Sequence, residues 1–242
     1  VSRDDQLITS LRKIANFDIS DLDDKKSRAY TFVNPYSVKL LSESNIQINQ
    51  FDKIYVDGIL MVFILRLLFN IRVKRHSFDF TSLADVVIGY ACNQDKPIAF
   101  IGSDFESNQL FCSKIRSQYK DINLGYSRDG YFGKEEYPAL RNFIQENSIA
   151  IVILGMGTPK QDELAIYLKS QLSNIIIFTC GGFIHQHAST ENEIYYPHII
   201  DKLNLRFLYR IFDEPKLLKR YIYEYPRSIF WLFKLAFKDK NV

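Results

Sequence analysis

A chain of 242 residues has the length of one large domain, or of one domain with an appendage. Apolar residues make up 47% of it, enough for a substantial core, and a net charge of +3 excludes a general binder of nucleic-acid polyanions. Three cysteines (Cys92, Cys112 and Cys180) are too few and too irregularly spaced for a disulfide framework and fit a reducing cytosol.

In chain order, residues 1–28 are polar and charged, begin with no secretory signal and predict a loosely held lead-in. A first strand at 29–33 ends at Asn34-Pro35, and a helix is expected over 37–42. A second strand at 53–56 stops at Asp57-Gly58. The apolar run that follows is broken by Arg66 and is too short to span a bilayer, so a buried helix is expected over 59–71. Another helix is predicted at 82–90. A strand at 97–101 leads into Gly102-Ser103 and a helix reaching residue 119. A short strand at 122–126 precedes the loop that carries Tyr131 and Phe132. A helix at 135–147, a strand at 149–154, a helix at 160–171 and a strand at 175–179 complete the series. Strands alternating with helices of this length predict a parallel α/β sheet covered on both faces.

After residue 190 the alternation stops. Segments 199–212, 214–224 and 227–238 read as helices, with Pro226 dividing the last two. The division expected is a polar lead-in at 1–28, an α/β core at 29–195 and a helical appendage at 196–242. The appendage is basic: from residue 201 onward ten Lys and Arg stand against five Asp and Glu. Its last segment mixes Phe230, Trp231, Phe233 and Phe237 with Arg227, Lys234, Lys238 and Lys240. That mixture suits either a helix lying in an anionic membrane interface or one packed on the core.

The chemistry is expected at the carboxyl ends of the strands, which share one edge in a parallel sheet. Residues 153–165, ILGMGTPKQDELA, carry the strongest signal. A buried strand runs into Gly155 and Gly157, which permit close backbone approach, and then into Pro159, Lys160 and Gln161 at a helix start. Such a helix offers free amides to an anion such as a diphosphate. Asp57, at the end of an apolar strand and before a glycine, stands where a general base would be held; a simple Asp-Gly turn fits equally well. His185 and His187 would face one side of an extended segment, but a third metal ligand is missing. The Asp21-Leu22-Asp23 triplet follows no strand and reads as solvated charge.

These motifs, in this order, resemble the WecG/TagA/CpsF family of bacterial glycosyltransferases from about residue 30 to residue 221. The resemblance is carried by Asn34, Asp57-Gly58, Gly102-Ser103, Gly130-Tyr131-Phe132, the G-x-G-x-P-K-Q-D run from Gly155, Gly181-Gly182-Phe183, Leu205 with Tyr209-Arg210, and Glu214-Pro215 with Arg220-Tyr221. It implies a Rossmann-like sheet and transfer of a hexose-type sugar from a UDP-sugar to a lipid-diphosphate-linked saccharide in capsule, exopolysaccharide or wall-polymer synthesis. The enzyme would be cytoplasmic and peripheral at the inner membrane face, inverting, and without metal or cofactor; nucleic acid is not an expected partner, and a homo-oligomer is left open. By the same resemblance Asp57 is the base. Asn34, Gly58, Gly102, Ser103, Tyr131, Phe132, Gly155, Gly157, Pro159, Lys160, Gln161 and Gly182 form the donor site. Arg210, Arg220, His185 and Gln186 meet the acceptor or the diphosphate.

Three positions depart from the family pattern. Its T-x-N reads Phe32-Val33-Asn34, its F-D-F reads Phe183-Ile184-His185, and Arg206 replaces an acidic residue. The donor sugar is therefore not carried over. A nicotinamide-dependent oxidoreductase is a second reading, weakened because no G-x-G-x-x-G follows the first strand. A non-catalytic membrane-associated partner is a third.

Overall fold

The structure, a computed structural model, describes residues 3–22, 26–190 and 218–239. Its centre is a sheet of β1 (Arg28–Val33), β2 (Lys53–Val56), β3 (Ile98–Gly102), β4 (Leu124–Arg128), β5 (Ile151–Gly155) and β6 (Ile176–Thr179). All neighbours pair in parallel, in the order β2-β1-β6-β5-β3-β4. The helices are α1 (Arg3–Leu11), α2 (Pro35–Glu43), α3 (Ile59–Phe69), α4 (Ala84–Asn93), α5 (Phe105–Gln118), α6 (Tyr137–Glu146), α7 (Lys160–Gln171), α8 (Phe183–Ser189) and α9 (Tyr225–Asp239).

Alternate strand residues feed two separate cores. Ala99, Ile101, Val152, Leu154 and Ile177 pack against α1, α2, α3, α6, α7 and α9. Ile98, Phe100, Ile151, Ile153 and Phe178 pack against α4, α5 and α8. A sheet buried on both sides needs strands apolar at every position, which is why β5 and β3 read as unbroken apolar runs. The expected α/β, Rossmann-like sheet with helices on both faces is present. From β1 the chain steps outward to β2, then crosses to β3 and steps the other way to β4. That reversal opens a crevice over the carboxyl ends of the central strands.

Several local expectations change. Residues 1–28 are not a loose lead-in throughout: Leu7, Ile8, Leu11 and Ile14 are buried in the first core, and the Ala15 N–H donates to the Ile54 carbonyl. Their i, i+1, i+4, i+7 spacing is a helical stripe. Asp21 of the D-x-D triplet is held by the Lys53 ammonium at 2.6 Å; Asp23 lies outside the described residues. The expected strand at 122–126 begins two residues later, because Ile122 still closes a turn on Tyr119.

Helix α3 is not a buried helix. Met61, Ile64 and Leu65 enter the core, but Leu60, Phe63 and Leu67 form an exposed apolar stripe, Phe63 at 59% and Leu67 at 74%. Nor does Pro226 divide two helices. A widened turn at Arg220–Glu224 runs straight into α9, its Tyr225 N–H reaching back to Arg220, and Pro226 sits in the next turn. A wide turn already displaces the backbone hydrogen bonds that proline would break. The helix expected at 199–212, and residues 214–217 of the one expected at 214–224, lie outside the described residues.

Candidate active site

The glycine turns after β5 and β6 are joined by one side chain. Gln161, on the first turn of α7 and 3% exposed, accepts through Oε1 from the Gly157 N–H at 3.2 Å and from the Gly181 N–H at 3.1 Å. Its amide nitrogen has no partner among the described residues. Gly102 and Gly155 lie side by side in register, and a Cβ on Gly102 would run into the Gly155 carbonyl. The Ser103 N–H donates to that same carbonyl at 3.1 Å. Helix α7 starts without a side-chain cap, and its Gln161 N–H donates to the Gly157 carbonyl at 3.0 Å, which ties the helix start to the glycine turn.

Lys160, the first residue of α7, donates to the Gly130 carbonyl at 2.8 Å, and its ammonium lies 5.1 Å from the centre of the Phe132 ring. The Arg128 guanidinium covers the same ring at 3.8 Å. Two residues along, Asp162 is fully buried. Its Oδ1 accepts from the Thr31 hydroxyl at 2.6 Å, and Thr31 in turn accepts from the Thr179 hydroxyl. Among the described residues Oδ2 has no partner within hydrogen-bond geometry, and burial, opposed by the nearby Thr31 and Thr158 hydroxyls, pushes this carboxyl up to about 6.

At the other end Asp57 follows β2 directly, its N–H donating to the Val33 carbonyl at 2.9 Å. Gly58 then caps α3 with φ at 91°, a conformation that favours glycine. Asn34 caps α2 through a reciprocal pair: its Oδ1 accepts from the Ser37 N–H at 3.0 Å, and Ser37 Oγ accepts from the Asn34 N–H. The backbone of Arg75 lies beside Val56, the residue before Asp57, because residues 75–76 bridge to it, with the His76 N–H on the Val56 carbonyl at 2.8 Å. The Arg220 guanidinium lies 4.8 Å from the Tyr36 ring, and Tyr225 stacks between Tyr36 and Tyr221. This aromatic stack fastens the start of α9 to the rim formed by α2.

A single cleft of about 1180 Å³ runs between these two ends. Of the residues expected from sequence, Asp57, Asn34, Gly58, Ser103, Tyr131 and Gly155 line it, as do Gly157, Lys160, Gln161, Gly182, His185, Gln186 and Arg220. Gly102, Phe132 and Pro159 do not: Gly102 supports the cleft by its close approach to Gly155, Phe132 is a platform for two cations, and Pro159 stands at the start of α7. Arg210 lies outside the described residues. The sequence reading missed Arg75, Tyr36, Asp104 and Tyr225, all of which line the cleft. The cationic run at 72–75 was visible, but only the bridge to Val56 says that it returns to β2.

The histidines do not form a pair. They lie on helix α8 rather than on an extended segment, where i and i+2 point to different sides. His187 is buried between Phe80, Phe111 and Phe183, and burial, helped by the nearby Lys114 charge, pushes it down to about 4. Lys114 also donates to the His187, Ala188 and Thr190 carbonyls, which fixes the end of α8. Among the described residues no group of three or more His, Cys, Asp or Glu is placed to hold a metal ion, and no helix is long and apolar enough to cross a membrane.

Comparison with known proteins adds two findings. The profile described as the Glycosyl transferase WecG/TagA/CpsF family matches residues 9–242. The chain is also 39% identical over 202 residues to the UDP-Gal:alpha-D-GlcNAc-diphosphoundecaprenol beta-1,4-galactosyltransferase of Shigella boydii, an alignment covering 82% of this chain and 83% of that protein.

Proposed function

We infer the reaction from one premise: the chain belongs to the WecG/TagA/CpsF family of glycosyltransferases and is a hexosyltransferase. That premise sets aside the nicotinamide reading, as does the Asn34-Pro35 that follows β1 in place of a glycine-rich turn. The donor is a UDP-hexose and the acceptor a saccharide linked to a polyprenyl diphosphate, in the synthesis of a capsule, exopolysaccharide or wall polymer. UDP-galactose, the donor in the relative's name, is the first to test.

The observation that carries this reading is the polarity of the cleft. A carboxylate, Asp57, stands at one end, and the glycine turns and the Lys160 ammonium stand at the other. Asp57 accepts the proton of the acceptor hydroxyl as that oxygen attacks the anomeric carbon. Attack opposite the departing diphosphate inverts that carbon. The leaving charge is met at the glycine-turn end by the Lys160 ammonium, held in place before the reaction begins, while Arg75 and Arg220, at the Asp57 end, meet the acceptor's diphosphate. This arrangement needs no metal ion and no cofactor, and turnover is expected to survive EDTA.

The lipid acceptor is reached from a membrane surface. The exposed stripe of α3 (Leu60, Phe63, Leu67) and the outer face of α9 (Phe230, Phe233, Phe237) present apolar side chains next to Arg66, Arg227, Lys234 and Lys238. Leu60 and Phe63 also line the cleft, so the lipid-facing surface and the site of attack are continuous. Such a surface suits peripheral attachment to anionic lipid at the inner face of the membrane. The decisive experiment is a panel of UDP-hexoses incubated with N-acetylglucosaminyl-diphosphoundecaprenol. Transfer from one of them that persists in EDTA supports the reading; no transfer from any, or transfer restored only by a divalent cation, overturns it.

A further inference from the structure

The β3–α5 end of the cleft holds a relay of three side chains that the transfer chemistry leaves unused. Asp104 caps α5: its Oδ1 accepts from the Ser107 N–H at 2.8 Å and its Oδ2 from the Ser107 hydroxyl at 2.9 Å. These bonds, the backbone one foremost, hold the Asp104 carboxyl below its ordinary value and keep it ionised. The 2.9 Å bond assigns the one Ser107 hydroxyl proton to Asp104, whose Oδ2 also accepts from the Ser103 hydroxyl at 3.3 Å. On that assignment Ser107 Oγ accepts from His185 Nδ1, 3.1 Å away. The imidazole then carries its proton on Nδ1, a placement also favoured by Asp104 Oδ2 at 3.7 Å. Its Nε2 is left with a bare lone pair and no partner among the described residues.

His185 and Asp104 both line the cleft. What they offer a ligand is a carboxylate and a nitrogen lone pair, both acceptors. An acceptor-only patch beside a negative charge repels a phosphate and suits a neutral group that donates, such as a sugar hydroxyl. We propose that the Asp104–Ser107–His185 relay reads a hydroxyl of the nucleotide-sugar donor, with Nε2 of His185 as the accepting atom. His185 thus acts in donor recognition rather than on the diphosphate, and Ser107 is a positioning residue that sets the tautomer. The inference rests on the nucleotide-sugar reading above. It also gives a chemical role to a histidine where the family pattern has the last residue of F-D-F.

The test compares His185→Phe, which removes the lone pair, with His185→Gln, whose Oε1 restores an acceptor near the position of Nε2. Wild-type protein is first titrated with UDP and with the UDP-hexose that it turns over. If it binds neither, the donor reading fails and this proposal falls with it. If it binds, His185→Phe is expected to raise the donor KM roughly tenfold, the worth of one hydrogen bond to a group then left unsatisfied. His185→Gln should recover most of that loss, and the acceptor KM should not move. Weakened binding of the UDP-hexose but not of UDP assigns the hydroxyl to the hexose; equal weakening of both assigns it to the ribose. Ring-nitrogen NMR should report the Nδ1–H tautomer in the wild type and its loss in Ser107→Ala. An unchanged donor KM in His185→Phe, no rescue by glutamine, a shift confined to the acceptor KM, or an Nε2–H tautomer in the wild type would each overturn the proposal while leaving the donor reading intact.

Discussion

The two ends of the cleft are built in opposite ways. At the β5–β6 end everything is tied: Gln161 joins two turns, Gly102 abuts Gly155, and Lys160 and Arg128 share the Phe132 ring. At the β2–α3 end Asp57 is followed by a glycine with φ of 91° and then by a helix whose outer stripe is apolar and exposed. The contrast matches two different tasks. Charge that develops on a leaving group is stabilised best by dipoles fixed in advance, which requires a rigid frame. A lipid-borne acceptor arrives from outside the protein, and the end that receives it has to be open and greasy.

The sharpest way to break this comparison is at Asp57. Replacing it with Asn is expected to lower turnover by roughly two to four orders of magnitude, the range of a positioned base, while UDP affinity measured by titration stays nearly unchanged. Near-normal turnover would place the base elsewhere and restore the non-catalytic reading of this end. A matching loss of UDP affinity would mean that the two ends are not separate.

Asp162 provides the next largest effect, in stability rather than rate. Its folded value of about 6 stands above the ordinary 3.8, so the carboxyl holds its proton more tightly folded than unfolded. The stabilisation is full below pH 3.8 and is lost as pH rises through 6, by on the order of 3 kcal/mol over that window. Asp162→Asn keeps an acceptor for Thr31 and cannot ionise. Urea unfolding from pH 4 to 8 should show the wild type losing stability relative to this variant; parallel curves would mean that water or relaxation relieves the buried charge.

Gln161→Leu tests the tied end directly. Two backbone amides lose their acceptor, and UDP affinity is expected to fall about tenfold. The acceptor KM, which reports on the β2–α3 end, should stay constant. If both constants moved together, the cleft would be one mechanical unit and the comparison drawn here would lose its force.

The smallest effects are expected at the exposed apolar stripes of α3 and α9, for which membrane contact is proposed. Leu67→Ser and Phe237→Ser, each outside the cleft lining, should lower partition onto anionic vesicles several-fold in sedimentation. Turnover of a short-chain, water-soluble acceptor should be preserved. Point changes are preferable to cutting off α9, because Leu232, Leu235 and Ala236 of that helix are buried in the core. Equal vesicle binding by the variants and the wild type would assign these stripes to another partner.

The amino-acid sequence by itself determined the parallel sheet, the strand ends that carry chemistry and the helix at Lys160–Gln171. These follow from local signals, namely β-branched apolar runs ended by glycine and a change of period where the helix begins. The buried side of α1 is legible too, in the spacing of Leu7, Ile8 and Leu11, but the charge around it points toward a loose segment. The exposed side of α3 was not legible. A helix apolar all round has no periodicity to say which face meets the core, and only its neighbours, α9 among them, decide that. Gln161 stood in the motif, yet its bond to Gly181 exists because β6 adds beside β5. Arg75 comes to the cleft through a bridge to Val56, nineteen positions earlier in the chain. The tautomer of His185 depends on a serine 78 residues away. Propensity and pattern act over a few residues and fix the elements; the partners of a polar side chain are chosen by which elements pack together, and that information exists only once the chain has folded.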